Sequence, residues 1–190
     1  ETSAGELAAL NRWQDFCEQD LDGYATQRDR PDLDGTSRLS AALAFGEIHP
    51  RTMLADLSEI AGQSRESGTP SLEDVDRFVA ELGWREFYAD VLWHHPDSVS
   101  NDLRDGFRGM RYDEELPEID AWKAGKTGFP LVDAGMRQLQ ETGWMHNRVR
   151  MVVASFLVKD LHVWWPIGAT YFLEQLEDGD VASNIHSWQW

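Results

Sequence analysis

Apolar residues recur at helical spacing along nearly the whole chain, and nowhere do they alternate in the two-residue rhythm of a half-buried strand. That pattern points to an all-α fold. Leu7, Leu10, Trp13, Phe16 and Leu21 mark a first helical stretch, and a polar run over 22–35 interrupts it with Gly23, Pro31 and Gly35. A short helix is expected over 40–45, stopped by Gly46, and a second from Pro50 to about residue 61, with a loop over 63–70. Ser71, with Asp74 three residues on, resembles a capping box. It opens a long helix through Trp93 that Pro96 ends, with Leu72, Val75, Phe78, Val79, Leu82 and Val91 on its apolar face.

Residues 97–116 carry few periodic apolar positions and read as irregular. Helices follow over 117–124 and 131–142, then over 147–163, where Val149, Val152, Val153, Phe156, Leu157 and Leu161 are expected inward. A last helix covers roughly 169–176 and runs into Asp178-Gly179-Asp180. The expectation is one all-α domain over 1–190. The chain finishes at Trp190 inside Trp-Gln-Trp with no polar tail, which reads as truncation at the C-terminus.

With 190 residues, the chain is long enough to bury a sizeable core. A single cysteine, Cys17, excludes an internal disulfide framework and a cysteine-based zinc site. Adjacent His94 and His95 face different ways on a helix and the other four histidines are scattered, so no metal site is expected. No apolar run has the length to cross a bilayer, and Glu1-Thr2-Ser3 lacks the layout of a secretion signal. A soluble cytoplasmic protein with no membrane partner is the reading. The balance of 17 Lys+Arg against 34 Asp+Glu, net −17, repels nucleic acid at long range, although a basic groove on an acidic body still binds it. Nine tryptophans point to ligand stacking or redox work as well as packing.

Four stretches combine residue types that carry chemistry. Gly35-Thr36-Ser37-Arg38-Leu39-Ser40 puts hydroxyls and a cation at a helix start, suited to phosphate or to a plain Ser/Thr cap. Around Glu81, Trp84, Arg85 and Tyr88 a helix presents a polar-aromatic face, fit for a flat ring or simply amphipathic. Trp144, Asn147, Arg148 and Arg150 precede the most apolar segment, and Arg150 there needs an anionic partner, Asp178, Asp180 or a bound anion. Asp178-Gly179-Asp180, followed by Asn184, Trp188 and Trp190, offers two carboxylates about a glycine, as a turn or as acceptors for a ligand's hydroxyl or N–H groups.

In this order the motifs closely resemble the flavin-binding helical half of the DNA photolyase/cryptochrome family, above all photolyases that repair cyclobutane pyrimidine dimers. The likeness lies in 35–40, 84–88, 121–137, 143–160 and 178–190. It implies a U-shaped FAD whose phosphates are cradled by Thr36, Ser37, Arg38, Leu39 and Ser40, with Tyr24 alongside. Arg85, Trp144, Asn147, Arg150, Asp178, Gly179 and Asp180 would line the flavin and adenine, the Arg150–Asp178 pair favouring a reduced, anionic flavin. Asn184 matches the amide that faces flavin N5. Blue light then drives an electron from reduced FAD into a dimer flipped out of UV-damaged DNA. Glu81 matches the carboxyl that hydrogen-bonds the dimer. Trp84 and Trp190 match its aromatic walls, with Asn147 and Met151 beside them, and Arg28, Arg85, Tyr88 and Arg148 complete the DNA side.

The resemblance also implies an electron path through Trp188 and Trp165, whose surface member falls on Tyr112, a tyrosine instead of a tryptophan. A second departure is Ile185-His186-Ser187 where the family often has smaller residues. Core packing is the reading for Trp13, Trp93 and Trp122. An antenna chromophore of folate or deazaflavin type is compatible with a full-length, monomeric enzyme, associated with the nucleoid in a bacterium. Two other readings stay open: a cryptochrome-like photoreceptor, and a flavin-free helical interaction module.

Overall fold

The structure is a computed structural model that describes residues 4–113 and 117–190. Glu1, Thr2 and Ser3, on which the secretion-signal reading rests, lie outside the described residues. So do Glu114, Glu115 and Leu116, the end of the stretch read as irregular. Among the described residues all regular structure is helical. The helices are α1 (Glu6–Gln19), α2 (Tyr24–Gln27), α3 (Ser40–Phe45), α4 (Pro50–Ser67), α5 (Leu72–His94), α6 (Pro117–Lys123), α7 (Pro130–Thr142), α8 (Asn147–Ser155), α9 (Trp165–Gln175) and α10 (Val181–Trp188). The chain divides into two compact units, Glu1–Glu86 and Phe87–Trp190, each with its own apolar core.

The first unit is built round aromatic packing. Trp13 lies 5.3 Å from Phe78, and Phe16 packs edge-on against Tyr24 at 5.6 Å. Met53 and Leu57 from α4 are fully buried beneath them, each worth about 1.5–3 kcal/mol. The Ser71–Asp74 capping box forms as expected: the Asp74 amide donates to Ser71 Oγ at 3.1 Å, and the Ser71 amide donates back to Asp74 Oδ2 at 3.3 Å. Asp74 also accepts from the Ala25 amide at 2.8 Å, which ties the start of α5 to α2. The loop expected over 63–70 is corrected. Helix α4 continues to Ser67 and stops only where Gly68 takes a left-handed conformation, φ 81°.

In the second unit Trp122 is fully buried, stacked on Phe172 at 6.0 Å with its indole N–H on Val153 O at 3.0 Å. Gly135 lets α7 and α8 approach closely, for a Cβ there would meet Val149 Cγ1 at 2.5 Å. The segment read as one helix over 147–163 is α8 followed by a single π turn, Phe156–Asp160. The last stretch is also corrected. Helix α9 begins at Trp165, and a further helix, α10, follows the turn at Asp178-Gly179-Asp180 because the Asp180 side chain caps it, accepting from the Ser183 amide at 2.7 Å.

Some faces were misplaced. Leu7, Leu72 and Val152 are exposed, at the edges of stripes centred on other residues. Trp93, read as core, is 82% exposed, since it follows half-buried Val91 by two residues and so points to the opposite side of α5. Trp13 and Trp122 are core residues.

Candidate functional site

The polar residues of the second unit's C-terminal half converge on one cavity of about 170 Å³. Helix α8 supplies Asn147, Arg150, Met151 and Ala154, and α9 supplies Phe172. Leu176, Asp178 and Asp180 come from the connection, and Ser183, Asn184, Ser187 and Trp188 from α10. The last five polar or aromatic positions, Asp180, Ser183, Asn184, Ser187 and Trp188, stand three or four residues apart and so share a face.

Of the partners the sequence left open for Arg150, the structure pairs it with Asp178. Arg150 Nη2 donates to Asp178 Oδ2 at 2.9 Å while Nε donates to Met145 O at 2.8 Å. The Asp178 side chain is 6% exposed, and its second oxygen, Oδ1, is buried without a hydrogen-bond partner. Such an atom costs about 1–3 kcal/mol unless something donates to it. A ligand N–H entering this cavity would do so. Asn184 donates from Nδ2 to Ala169 O at 2.9 Å, which fixes the amide and leaves its oxygen as the end available to a ligand. Gly179 makes the turn behind them, and a Cβ there would lie 3.3 Å from both the Leu173 and Leu176 carbonyls. Trp144 is not in the lining; it stands half-buried, edge-on to His146 at 6.3 Å. His146 caps α8, its Nδ1 accepting from the Arg148 amide at 3.1 Å.

Of the departure at 185–187, only Ser187 reaches this cavity. Ile185 is a core residue, and buried His186 turns to Ser98, with Nε2 2.9 Å from Ser98 Oγ, and stacks on Tyr88 at 5.9 Å. The Ile185-His186 bulk is thus spent on packing. Trp165, Trp188, Tyr112, Tyr88 and Trp190 line a second, larger cavity of about 550 Å³ in the same unit.

In the first unit, Leu39 stands at the N-cap of α3 with no side-chain cap, so neither Ser37 nor Ser40 acts as a plain helix cap. Arg38 takes a positive φ of 51°, and its Nε donates to Asp34 Oδ1 at 2.9 Å. Arg12 Nε holds the turn by donating to Ser37 O at 2.6 Å. Thr36 is half-buried here and Leu39 is buried. Tyr24 is buried at the start of α2; burial first, then the Glu81 charge, push its phenol above the ordinary value. Arg28, expected on the DNA side, is mostly buried and bonds Glu81 Oε1 at 2.7 Å. Arg85 Nη2 donates to Leu43 O at 3.3 Å, while Trp84 is 42% exposed on α5.

The sequence of residues 78–190 matches the FAD binding domain of DNA photolyase. The chain belongs to the DNA photolyase family. A deoxyribodipyrimidine photo-lyase of Escherichia coli is 44% identical over 186 residues, 97% of this chain and 38% of the relative. Among solved structures, a bacterial class III photolyase from Agrobacterium tumefaciens superposes with a TM-score of 0.92 at 41% identity, over 98% of this chain and 37% of that one. A Synechocystis cryptochrome superposes with a TM-score of 0.87 at 33% identity, over 98% and 38%. The chain therefore spans well under half the length of the photolyases it matches. Within the match to the FAD binding domain, residues 78–190, lie Glu81, Trp84 and every residue of the cavity, whereas Tyr24, Arg28 and the 36–40 turn precede it.

The walls of the cavity went unread in the sequence. Ala154, Phe172 and Leu176 look like any core positions, and Ser183 and Ser187 become visible only once α10 is recognised as a helix.

Proposed function

We propose that this chain is part of a DNA photolyase that repairs cyclobutane pyrimidine dimers in UV-damaged DNA with light and FAD. The observation that carries the reading is the buried Arg150–Asp178 pair with its unsatisfied Oδ1, in a cavity also lined by Asn147, Asp180 and Asn184. That donor and acceptor set fits an isoalloxazine ring, which has both a ring N–H and carbonyl oxygens to satisfy. When bound and reduced, the flavin supplies an electron on excitation by blue light.

The chain's own residues hold and orient. With the flavin bound, Asp178 Oδ1 would accept a ring N–H, and the Arg150 guanidinium would stabilise negative charge beside it. Asn184, fixed by Ala169 O, presents its amide oxygen to the ring. Thr36, Ser37, Arg38, Leu39 and Ser40, with Tyr24, carry the phosphates, and Arg85 and Trp144 complete the cofactor's surroundings. Arg28 holds the Glu81 carboxyl for a hydrogen bond to the flipped dimer. Trp84 and Trp190, both exposed, give it stacking faces. Asn147, Arg148, Met151 and Tyr88 make the rest of the DNA side. We place the whole enzyme, as a monomer, in the cytoplasm with the nucleoid; among the described residues no helix is long and apolar enough to cross a membrane.

A photoreceptor reading is supported by the cryptochrome likeness. The two separate in one experiment on full-length protein: an absorption spectrum, then repair of a dimer-containing oligonucleotide under blue light against a dark control. Flavin bands with light-dependent repair are expected, and Glu81→Gln is expected to lower repair about tenfold with flavin content unchanged. Flavin bands without repair would favour the photoreceptor, and the absence of flavin would sink both.

A further inference from the structure

Asp102 is a residue to which the sequence assigned nothing. It lies in the segment between α5 and α6, and its carboxylate Oδ1 accepts the indole N–H of Trp165 at 2.9 Å. Trp165 is buried, so water screens little of the charge beside it. Tyr112 is close by: burial first, then the negative charge of Asp102, push its phenol above the ordinary value. All three residues line the 550 Å³ cavity together with Trp188.

The placement of Asp102 is built, not incidental. Gln189, next to Trp188, donates from Nε2 to Ser98 O at 2.9 Å and accepts the Leu103 amide on Oε1 at 2.7 Å. Buried His186 holds Ser98 Oγ from the same helix. Arg108 Nε closes the turn by donating to Asp102 O at 3.0 Å. The end of α10 thus latches both flanks of Asp102 and sets its carboxylate against Trp165. Other charged groups on this cavity are Arg104 and Lys159, with His162 opposite Tyr112 at 5.5 Å between ring centres.

An indole that gives up an electron carries positive charge, and its N–H becomes a strong hydrogen-bond donor. A carboxylate already on that N–H stabilises the charged form more than the neutral one, the same asymmetry that shifts the pKa of a group beside a charge. We propose that Asp102 is a positioning residue for electron transfer, one that orients the Trp165 indole and makes Trp165 easier to oxidise. The proposal rests on the photolyase reading above. One electron is moved: Trp165 is oxidised, light-excited oxidised flavin on the same protein is reduced, and the Nε1 proton stays in its hydrogen bond to Asp102. A thiol in solution then returns the electron to the chain.

The test uses full-length protein with Asp102→Asn, which keeps an acceptor of the same shape and removes the charge, and Asp102→Glu, which restores the charge. In the dark, the Trp165 indole N–H resonance, assigned with Trp165→Phe, is expected to move upfield in D102N and to return toward its original position in D102E. Under blue light with excess thiol, flavin photoreduction is expected to slow by roughly tenfold in D102N and to recover in D102E. Dimer repair from chemically reduced flavin is expected to be unchanged in both. An unmoved indole resonance, or wild-type photoreduction in D102N, would overturn the proposal. So would a wild-type protein that repairs dimers but does not photoreduce, which leaves the photolyase reading standing. A wild type that neither holds flavin nor repairs would overturn both.

Discussion

Replacing Arg150 by Leu strands the Asp178 carboxylate. In the native protein Oδ2 is held by Arg150 Nη2 at 2.9 Å, and Oδ1 has no hydrogen-bond partner, so the substitution leaves a 6%-exposed side chain without its ion-pair partner. Breaking a buried pair in this way costs about 3–5 kcal/mol. The Arg150 side chain is 24% exposed, which brings the expectation to the lower end, about 3 kcal/mol. The double variant, Arg150→Leu with Asp178→Asn, removes the stranded charge and should be more stable than Arg150→Leu alone by about 1–3 kcal/mol. Urea denaturation followed by tryptophan fluorescence, on all four members of the cycle, measures the coupling directly. Costs that add, or an Arg150→Leu variant within about 0.5 kcal/mol of wild type, would refute the claim that this pair is a buried, mutually dependent unit.

Gly168→Ala would drive a methyl group into the Trp188 ring and to within 2.7 Å of Leu157 Cδ2, so a loss of about 1–3 kcal/mol and weaker flavin retention are expected; a neutral variant would refute the close approach. Asp74 meets opposing influences: burial raises its pKa, but hydrogen bonds from Ser71 and the Ala25, Gly23 and Ser71 backbone outweigh it and hold the carboxyl below the ordinary 3.8. Its stabilisation is therefore present above that value and lost as pH falls below it, and Asp74→Asn should flatten this acid limb in denaturation curves measured against pH. The Cys17 thiol is pushed up to about 12 by burial first, then by the Asp56 and Glu18 charges, so native protein should resist iodoacetamide at pH 8 and react once unfolded, as read by mass spectrometry.

What the sequence disclosed follows from how local each cause is. Helical spacing located eight of the ten α-helices among the described residues at least in part, because the apolar stripe of a helix is written in neighbouring residues, whereas the short α2 is hidden inside a polar run. Helix α10 was passed over as well: Val181, Ala182, Ile185 and Trp188 are spaced as a helix requires, yet Asp178-Gly179-Asp180 reads first as a turn or a ligand motif, and the capping role of Asp180 is invisible without the fold. The polar lining of the cavity was legible for a different reason. A cation beside an apolar segment must find an anion, so Arg150 announced an anionic partner, and the fold supplies Asp178, 28 residues on, rather than Asp180. No comparable demand announces a wall: Ala154, Phe172 and Leu176 need only be apolar. Nor does an indole need a carboxylate, since Trp122 is satisfied by a carbonyl. Asp102 meets Trp165 across 63 residues from a segment with no periodicity, and only the fold brings the two together. A charge that the fold does not require for burial, yet holds through Gln189 and His186, is better explained by the chemistry of the ring it touches than by the stability of the turn that carries it.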